Sequence, residues 1–369
     1  MSLTQGLHRA MQTAGSRIAT RFQGRDRTWA DVGQRVARLA GGLRALGVGR
    51  GDRVAILSLN SDRYVEYFYA VGWAGAACNP VNIRLAPAEI AYTLNDSKCE
   101  VLFIDETFAA VVPELRSLAP SVSHYVYMGN AEAPPAMIDY EDLIARSEPV
   151  DDAEAESGEL AGLFYTGGTT GKSKGVRLTH GNLVHTARNV ITAMGYDRDA
   201  VYLHAGPMFH LADMASTFAV TMVAATHCAI PRFDVEQVLQ VMQGARVTHT
   251  LLVPTMVNLL VSSGRLPDYD LKSLRRMLYG ASPMPEALLR KAMDALPAVG
   301  FTQGYGQTEA SPLITFLSAE DHRAGGGLLR SAGMPAYGVD VRILDERDRQ
   351  VPRGTVGEIC ARGANVMLG

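Results

Sequence analysis

The sequence predicts an α/β protein: two tandem, mostly parallel α/β subdomains with helices on the sheet faces, then the start of a small antiparallel β subdomain. Three observations carry that expectation. Short apolar runs of strand length alternate with longer stretches of helical period, in two successive series, as parallel strands joined by helical crossovers require. Between Ala131 and Gly158 a proline-containing and then acidic stretch interrupts the alternation and reads as a surface connection. From about Ser331 the pattern changes to short alternating pieces spaced by turns. The expected divisions are therefore 1–158, 159–330 and 331–369.

The elements follow in order. TWADVGQRVARLAGGLRAL carries apolar residues at helical spacing, and the turn from Gly47 to Asp52 ends it. RVAILSL reads as a buried strand, SDRYVEYFYAVGWAG as a helix, the segment around NPVN as a short strand, APAEIAYTLNDS as a helix and CEVLFID as a strand. After the acidic connection, LAGLFYT is a strand. VYLHAGPMFH is read as ending a strand at His210, and ADMASTFAVTMVAA as helical. VEQVLQVMQGARVTHTLLVP gives a helix and a buried strand, TMVNLLVSS a helix, and SLRRMLYGASPM a strand entering a glycine turn. VDVRILD and GEICARG are the short alternating pieces of the last division.

Composition narrows the function classes. The chain has 369 residues with a net charge of −3, which provides no electrostatic footprint for nucleic acid or an anionic membrane. The longest apolar stretch, Phe218 to Ile230, is too short to span a bilayer and contains His227. The four cysteines lie far apart with no C-x-x-C pair, so buried reduced thiols are expected rather than a metal or disulfide framework. With no apolar run at the N-terminus, a cytoplasmic location is expected.

The stretch YTGGTTGKSKGV, Tyr165 to Val176, concentrates glycine, threonine and lysine between apolar flanks. It is not the P-loop of nucleotide triphosphatases. Thr166 stands where the first glycine of that motif belongs, and the residues after the loop read as a strand, whereas a P-loop runs into a helix. The loop is expected to join two strands, with the next helix starting near Thr179 to Asn182. Backbone amides and hydroxyls of Thr166, Gly167, Gly168, Thr169, Thr170 and Gly171 suit phosphate oxygens, with Lys174 as a point charge.

Together with four later segments this stretch resembles the adenylate-forming acyl-CoA synthetase (AMP-binding) superfamily. The segments are Pro207-Met208-Phe209-His210, Gly280-Ala281-Ser282-Pro283, Tyr305-Gly306-Gln307-Thr308-Glu309, and Gly357 to Gly363 (GEICARG). Two small departures from the family pattern, Gly167 and Ser173, leave Lys174 in register. The resemblance implies the large N-terminal domain of a fatty-acid or aryl-acid CoA ligase, with the small C-terminal lid domain and its catalytic lysine lying beyond Gly369. It implies ATP, Mg²⁺, coenzyme A and a carboxylic acid as partners, a homodimer as a possible assembly, and acyl-adenylate formation as the first reaction.

The same resemblance assigns roles. Glu309 binds Mg²⁺ and Thr308 meets the α-phosphate. Tyr305, with Gly306, stacks on adenine, and the backbone of Gly280, Ala281, Ser282 and Pro283 runs along the other edge. His210 lies near the carboxylate and acyl entrance; histidine rather than aspartate after Phe209 favours an acid without an α-amino group. The acyl pocket is expected along Ala212 to Ala225 and the segment before Tyr305. His180, His185 and Glu358 are expected to be structural. A fatty acid is the favoured substrate, and an aryl acid or a non-turnover nucleotide-binding role are the alternatives.

Overall fold

The computed structural model describes residues 1–167 and 172–369. It contains two large sheets and a two-stranded ribbon. The first sheet has seven strands in the order Ile138–Asp139, His124–Tyr127, Val101–Ile104, Arg53–Leu57, Ala77–Pro80, Leu160–Thr166 and Lys174–Thr179. All neighbours are parallel except the last pair. The second sheet has nine strands in the order Met334–Pro335, Thr315–Leu317, Gly300–Tyr305, Arg276–Gly280, His249–Leu251, Val201–His204, Thr226–Ala229, Ile18–Phe22 and Arg25–Thr28. The ribbon pairs Val339–Leu344 with Glu358–Gly363 antiparallel, as the short alternating pieces predicted.

Sheet membership does not follow the division expected at residue 158. The N-terminal hairpin Ile18–Thr28 joins the second sheet, through a parallel pairing of Ile18–Phe22 with Thr226–Ala229. The hairpin Leu160–Thr179 joins the first sheet, where Cys78 pairs with Gly162. Alternation of apolar residues identifies a strand but not its partner, which for Ile18–Phe22 is chosen by packing across about two hundred residues of chain.

A helical layer lies between the sheets. One continuous apolar core includes Val54 and Ile56 of the first sheet, Tyr202 of the second, and Phe68, Val190 and Phe218 from the intervening helices. Separate cores cover the outer faces of the second sheet and of the first. This placement explains the helix Asp62–Trp73, in which every residue is buried and no polar face exists. Its charged residues survive by pairing. Glu66 accepts from Arg35 at 2.8 Å and from the Tyr140 hydroxyl at 2.6 Å, and Asp62 pairs with Arg25 and Arg27.

Helix starts follow the capping chemistry in the sequence. The Thr28 and Thr179 side chains each accept from the backbone three residues on, in reciprocal capping boxes with Asp31 and Asn182. The helix expected near Thr179 therefore runs from His180 to Met194. All four cysteines are free thiols, three of them buried. Among the described residues, no helix is long and apolar enough to cross a membrane.

Candidate active site

The two segments on which the sequence reading rests approach each other. Leu160–Thr166 and Lys174–Thr179 form an antiparallel hairpin in which Thr166 pairs with Lys174, so the expected loop does join two strands. Gly168, Thr169, Thr170 and Gly171 lie outside the described residues. On their N-terminal side Thr166 is half-buried and Gly167 exposed; on the other side Lys174 is exposed. The hairpin's flanks rest on the helix Pro87–Asp96. The Tyr165 hydroxyl donates to Asp96 at 2.6 Å, and the Lys172 ammonium lies 5.4 Å from the centre of the Tyr92 ring. Burial, reinforced by the Asp96 carboxylate, raises the Tyr165 pKa, so its hydroxyl stays protonated and keeps donating.

Thr308, Glu309 and Ala310 form a single 3₁₀ turn after the strand Gly300–Tyr305. Thr308 lines a small cavity of about 30 Å³ together with Tyr165, Phe209 and His210. Phosphate hairpin and acidic turn thus share one crevice. Glu309 is half-buried, one residue from that lining, and its backbone carbonyl accepts from Met367 at 2.9 Å.

The crevice shares His210, Leu211 and Thr308 with a cleft of about 420 Å³ at the C-terminal ends of the central strands of the second sheet. That is the size of a small-molecule site. One half of its lining is built largely from backbone. Gly280 ends one strand and Ala281 follows it, and Gly304 and Gly306 belong to the adjacent strand and the turn beyond it. Gly280 and Gly304 are register partners, and a Cβ on Gly280 would collide with the Gly304 carbonyl oxygen. Likewise, a Cβ on Gly306 would collide with the Pro312 carbonyl. Ala281 sits at φ +62°, a left-handed conformation that residues with a Cβ adopt reluctantly, and it faces the cleft. Tyr305, Ser282 and Pro283 are exposed and flank the cleft without lining it.

The other half is built from side chains. Leu211 and Ala212 of the helix Leu211–Met222, with Leu251, Met256, Leu278 and Leu313, give apolar walls. His210 does not end a strand; it is the N-cap residue of that helix, and the strand stops at His204. The proline at 207 and the extended N-cap geometry produce this turn. The His210 ring opens to the cleft. Desolvation within the concave wall, followed by the charge of Arg84, pushes its pKa down to about 4 and keeps the ring neutral.

Behind this wall runs a buried polar chain. The Thr221 hydroxyl donates to the Thr217 carbonyl at 3.0 Å, so it accepts from His227 Nε2, also at 3.0 Å. His227 Nδ1 then accepts from His204 Nε2 at 2.9 Å. That leaves His204 Nδ1 facing Asp213 Oδ2 at 2.5 Å, with one proton between them. The Tyr202 hydroxyl donates to Asp213 Oδ1 at 2.9 Å. The chain fixes the first turn of the helix Leu211–Met222, which forms part of the apolar wall, and Asp213 borders the cleft.

A ligand set can be tested on these residues. Among the described residues, no group of three or more His, Cys, Asp or Glu side chains converges to hold a metal unaided. One half-buried carboxylate beside Thr308 instead fits Mg²⁺, which keeps waters and phosphate oxygens in its shell. The backbone edges at Gly280–Ala281 and Gly304–Gly306 fit a flat base and ribose. Sequence reasoning missed Arg84, Asp213 and Asn365. Arg84 stands two residues after NPVN, which reads in sequence as a short strand. Asn365 is a small polar residue in a loop, and its contacts to backbone leave no trace in sequence.

Comparison with known proteins is decisive at this point: residues 7–369 match the AMP-binding enzyme family. The chain belongs to that family. A feruloyl-CoA synthase from Amycolatopsis sp. is 36% identical over 352 residues, covering 95% of this chain and 68% of the relative. A long-chain-fatty-acid–CoA ligase from Thermus thermophilus is 36% identical over 350 residues, covering 91% and 63%. An inhibitor-bound crystal structure of the N-terminal domain of FACL13 from Mycobacterium tuberculosis superposes with a TM-score of 0.89 at 26% identity, covering 100% of this chain and 90% of that one. The chain thus spans about two thirds of the length of these full-length AMP-binding relatives and nearly all of a solved N-terminal domain. Its relatives are acyl- and aryl-CoA ligases.

Proposed function

We propose that this chain is the adenylating domain of an acyl-CoA synthetase, activating a carboxylic acid with Mg·ATP to an acyl-adenylate and pyrophosphate. The observation that carries the reading is the shared crevice: Tyr165 of the phosphate hairpin and Thr308 of the acidic turn line the same cavity, and Thr308, His210 and Leu211 also line the larger cleft. A carboxylate oxygen of the acid attacks the α-phosphorus, and the bond to the pyrophosphate oxygen breaks. Both reactants are anions, so the chain's task is to hold them in line and offset charge moving onto the leaving group. Lys174 and the hairpin amides meet the β- and γ-phosphates, Thr308 meets the α-phosphate, and Glu309 holds Mg²⁺. The metal supplies charge neutralisation across the phosphates when bound. The edges at Gly280–Pro283 and Tyr305–Gly306 receive adenine and ribose.

His210, neutral at pH 7, orients the acid at the mouth of the apolar half and does not serve as a base. The apolar walls support a fatty acid as substrate; an aryl acid fits the same walls and is the second reading. Coenzyme A is the acceptor in the following thioesterification. The test is a hydroxylamine trap: with Mg·ATP and a panel of fatty and aryl acids, the protein should release acyl hydroxamate and pyrophosphate in equal amounts. Pyrophosphate release independent of any acid contradicts the reading.

A further inference from the structure

One short segment holds the acidic turn and the phosphate hairpin together. The Asn365 amide nitrogen donates to the Ala310 carbonyl at 3.1 Å and to the Leu313 carbonyl at 2.8 Å. The Ser311 hydroxyl donates to the Asn365 carbonyl at 2.6 Å, and the Met367 amide donates to the Glu309 carbonyl at 2.9 Å. The segment then runs onto the strand headed by Lys174. Leu368 donates to the Arg177 carbonyl and Arg177 to the Gly369 carbonyl, both at 3.0 Å. Asn182, in the first turn of the next helix, donates to the carbonyls of Ala364 and Val366 at 2.7 and 3.0 Å.

The turn needs such support. Ser311 lies at φ +62°, two residues after Glu309, in a conformation that a residue with a side chain holds only when its surroundings over-determine it. Asn365 is fully buried and does not line the cleft, so it acts on the ligand only through the turn.

We propose that Asn365 is a positioning residue. With the strap 364–369 it fixes the Thr308–Glu309 turn relative to the Lys174 strand, so that the metal side and the phosphate side of the triphosphate are met together. This role presupposes the Mg·ATP reading above. A residue that only stabilised the fold would weaken every ligand equally or lower the melting temperature alone. A positioning residue would weaken the metal-dependent part of nucleotide binding selectively.

The test is calorimetric titration of ATP into residues 1–369, with Mg²⁺ and with EDTA, alongside thermal melts. Mg²⁺ should tighten ATP binding to the unsubstituted chain. In Asn365→Ala that tightening should fall by about tenfold or more, while metal-free binding changes by less than about twofold. Met367→Pro removes the amide that meets the Glu309 carbonyl, together with a side chain packed against the main core, and should shift the result in the same direction. If Asn365→Ala does not fold, Met367→Pro and Ser311→Ala decide by the same criterion. A folded variant that keeps the full Mg²⁺ effect, or one that loses metal-free and metal-dependent binding by the same factor, overturns the positioning role. An unsubstituted chain whose ATP binding ignores Mg²⁺ overturns the functional reading, and the role of Asn365 with it.

Discussion

The two halves of the cleft are made of different material. The proposed nucleotide half is mainly backbone: glycines at 280 and 306, where a Cβ would collide with a backbone carbonyl, and two non-glycine residues, Ala281 and Ser311, held at positive φ. The proposed acyl half is side chain: an apolar helix face backed by the Asp213–His204–His227–Thr221 chain. A site that must accept the same nucleotide in every relative can be built from backbone shape. A site that distinguishes one acid from another is built from side chains, which change size without moving the fold.

Substitutions can break or sharpen this contrast, and the largest effect is expected behind the acyl wall. Asp213→Ala leaves His204 buried without its carboxylate and should cost about 3–5 kcal/mol of stability, read as a shift in the denaturant midpoint. In the nucleotide half, Glu309→Gln should slow Mg·ATP-dependent adenylation by tenfold or more, where each ~1.4 kcal/mol is tenfold, with little change in melting temperature. Lys174→Ala should act on the phosphates alone, raising the apparent ATP and pyrophosphate constants while leaving that of the acid unchanged. The smallest effect belongs to Ala281→Gly, which relieves the left-handed strain and should change stability by no more than about 1 kcal/mol, whereas Ala281→Val should destabilise clearly.

Acid pH gives a further contrast. His180 and His249 are buried, and desolvation holds both pKa values at about 4. The Leu3 amide donates to His180 Nδ1 at 3.2 Å, which requires an unprotonated acceptor there. Because the folded values lie below the ordinary 6.5, the unfolded chain binds more protons between these limits. Stability from both groups is complete above pH 6.5 and lost as pH falls towards 4, by up to about 3 kcal/mol each. Melting temperatures measured from pH 7 to pH 4 check the direction. His210 should contribute no inflection to the adenylation rate above pH 5.

These differences also explain what could be read from the sequence. The nucleotide half depends on local constraint: glycine where backbones touch, threonine and lysine where anions bind, one glutamate in a turn. Those residues stand in short motifs, and the alternating strands and helices around them were equally legible. The exchange of hairpins between sheets was not, because Ile18–Phe22 and Thr226–Ala229 meet through packing that no local pattern encodes. His210 was placed at a strand end because helix N-caps without a side-chain cap leave no sequence mark. Asp213 and Asn365 stayed hidden because their importance lies in partners that the fold brings together.

The most direct measurement is anomalous diffraction from crystals soaked with ATP and Mn²⁺. The structure predicts one metal peak bonded to the Glu309 carboxylate at about 2 Å, with the triphosphate running from Thr308 towards Lys174. A metal peak and triphosphate bound away from Glu309, or nucleotide density outside the cleft at Gly280–Gly306, would contradict the account.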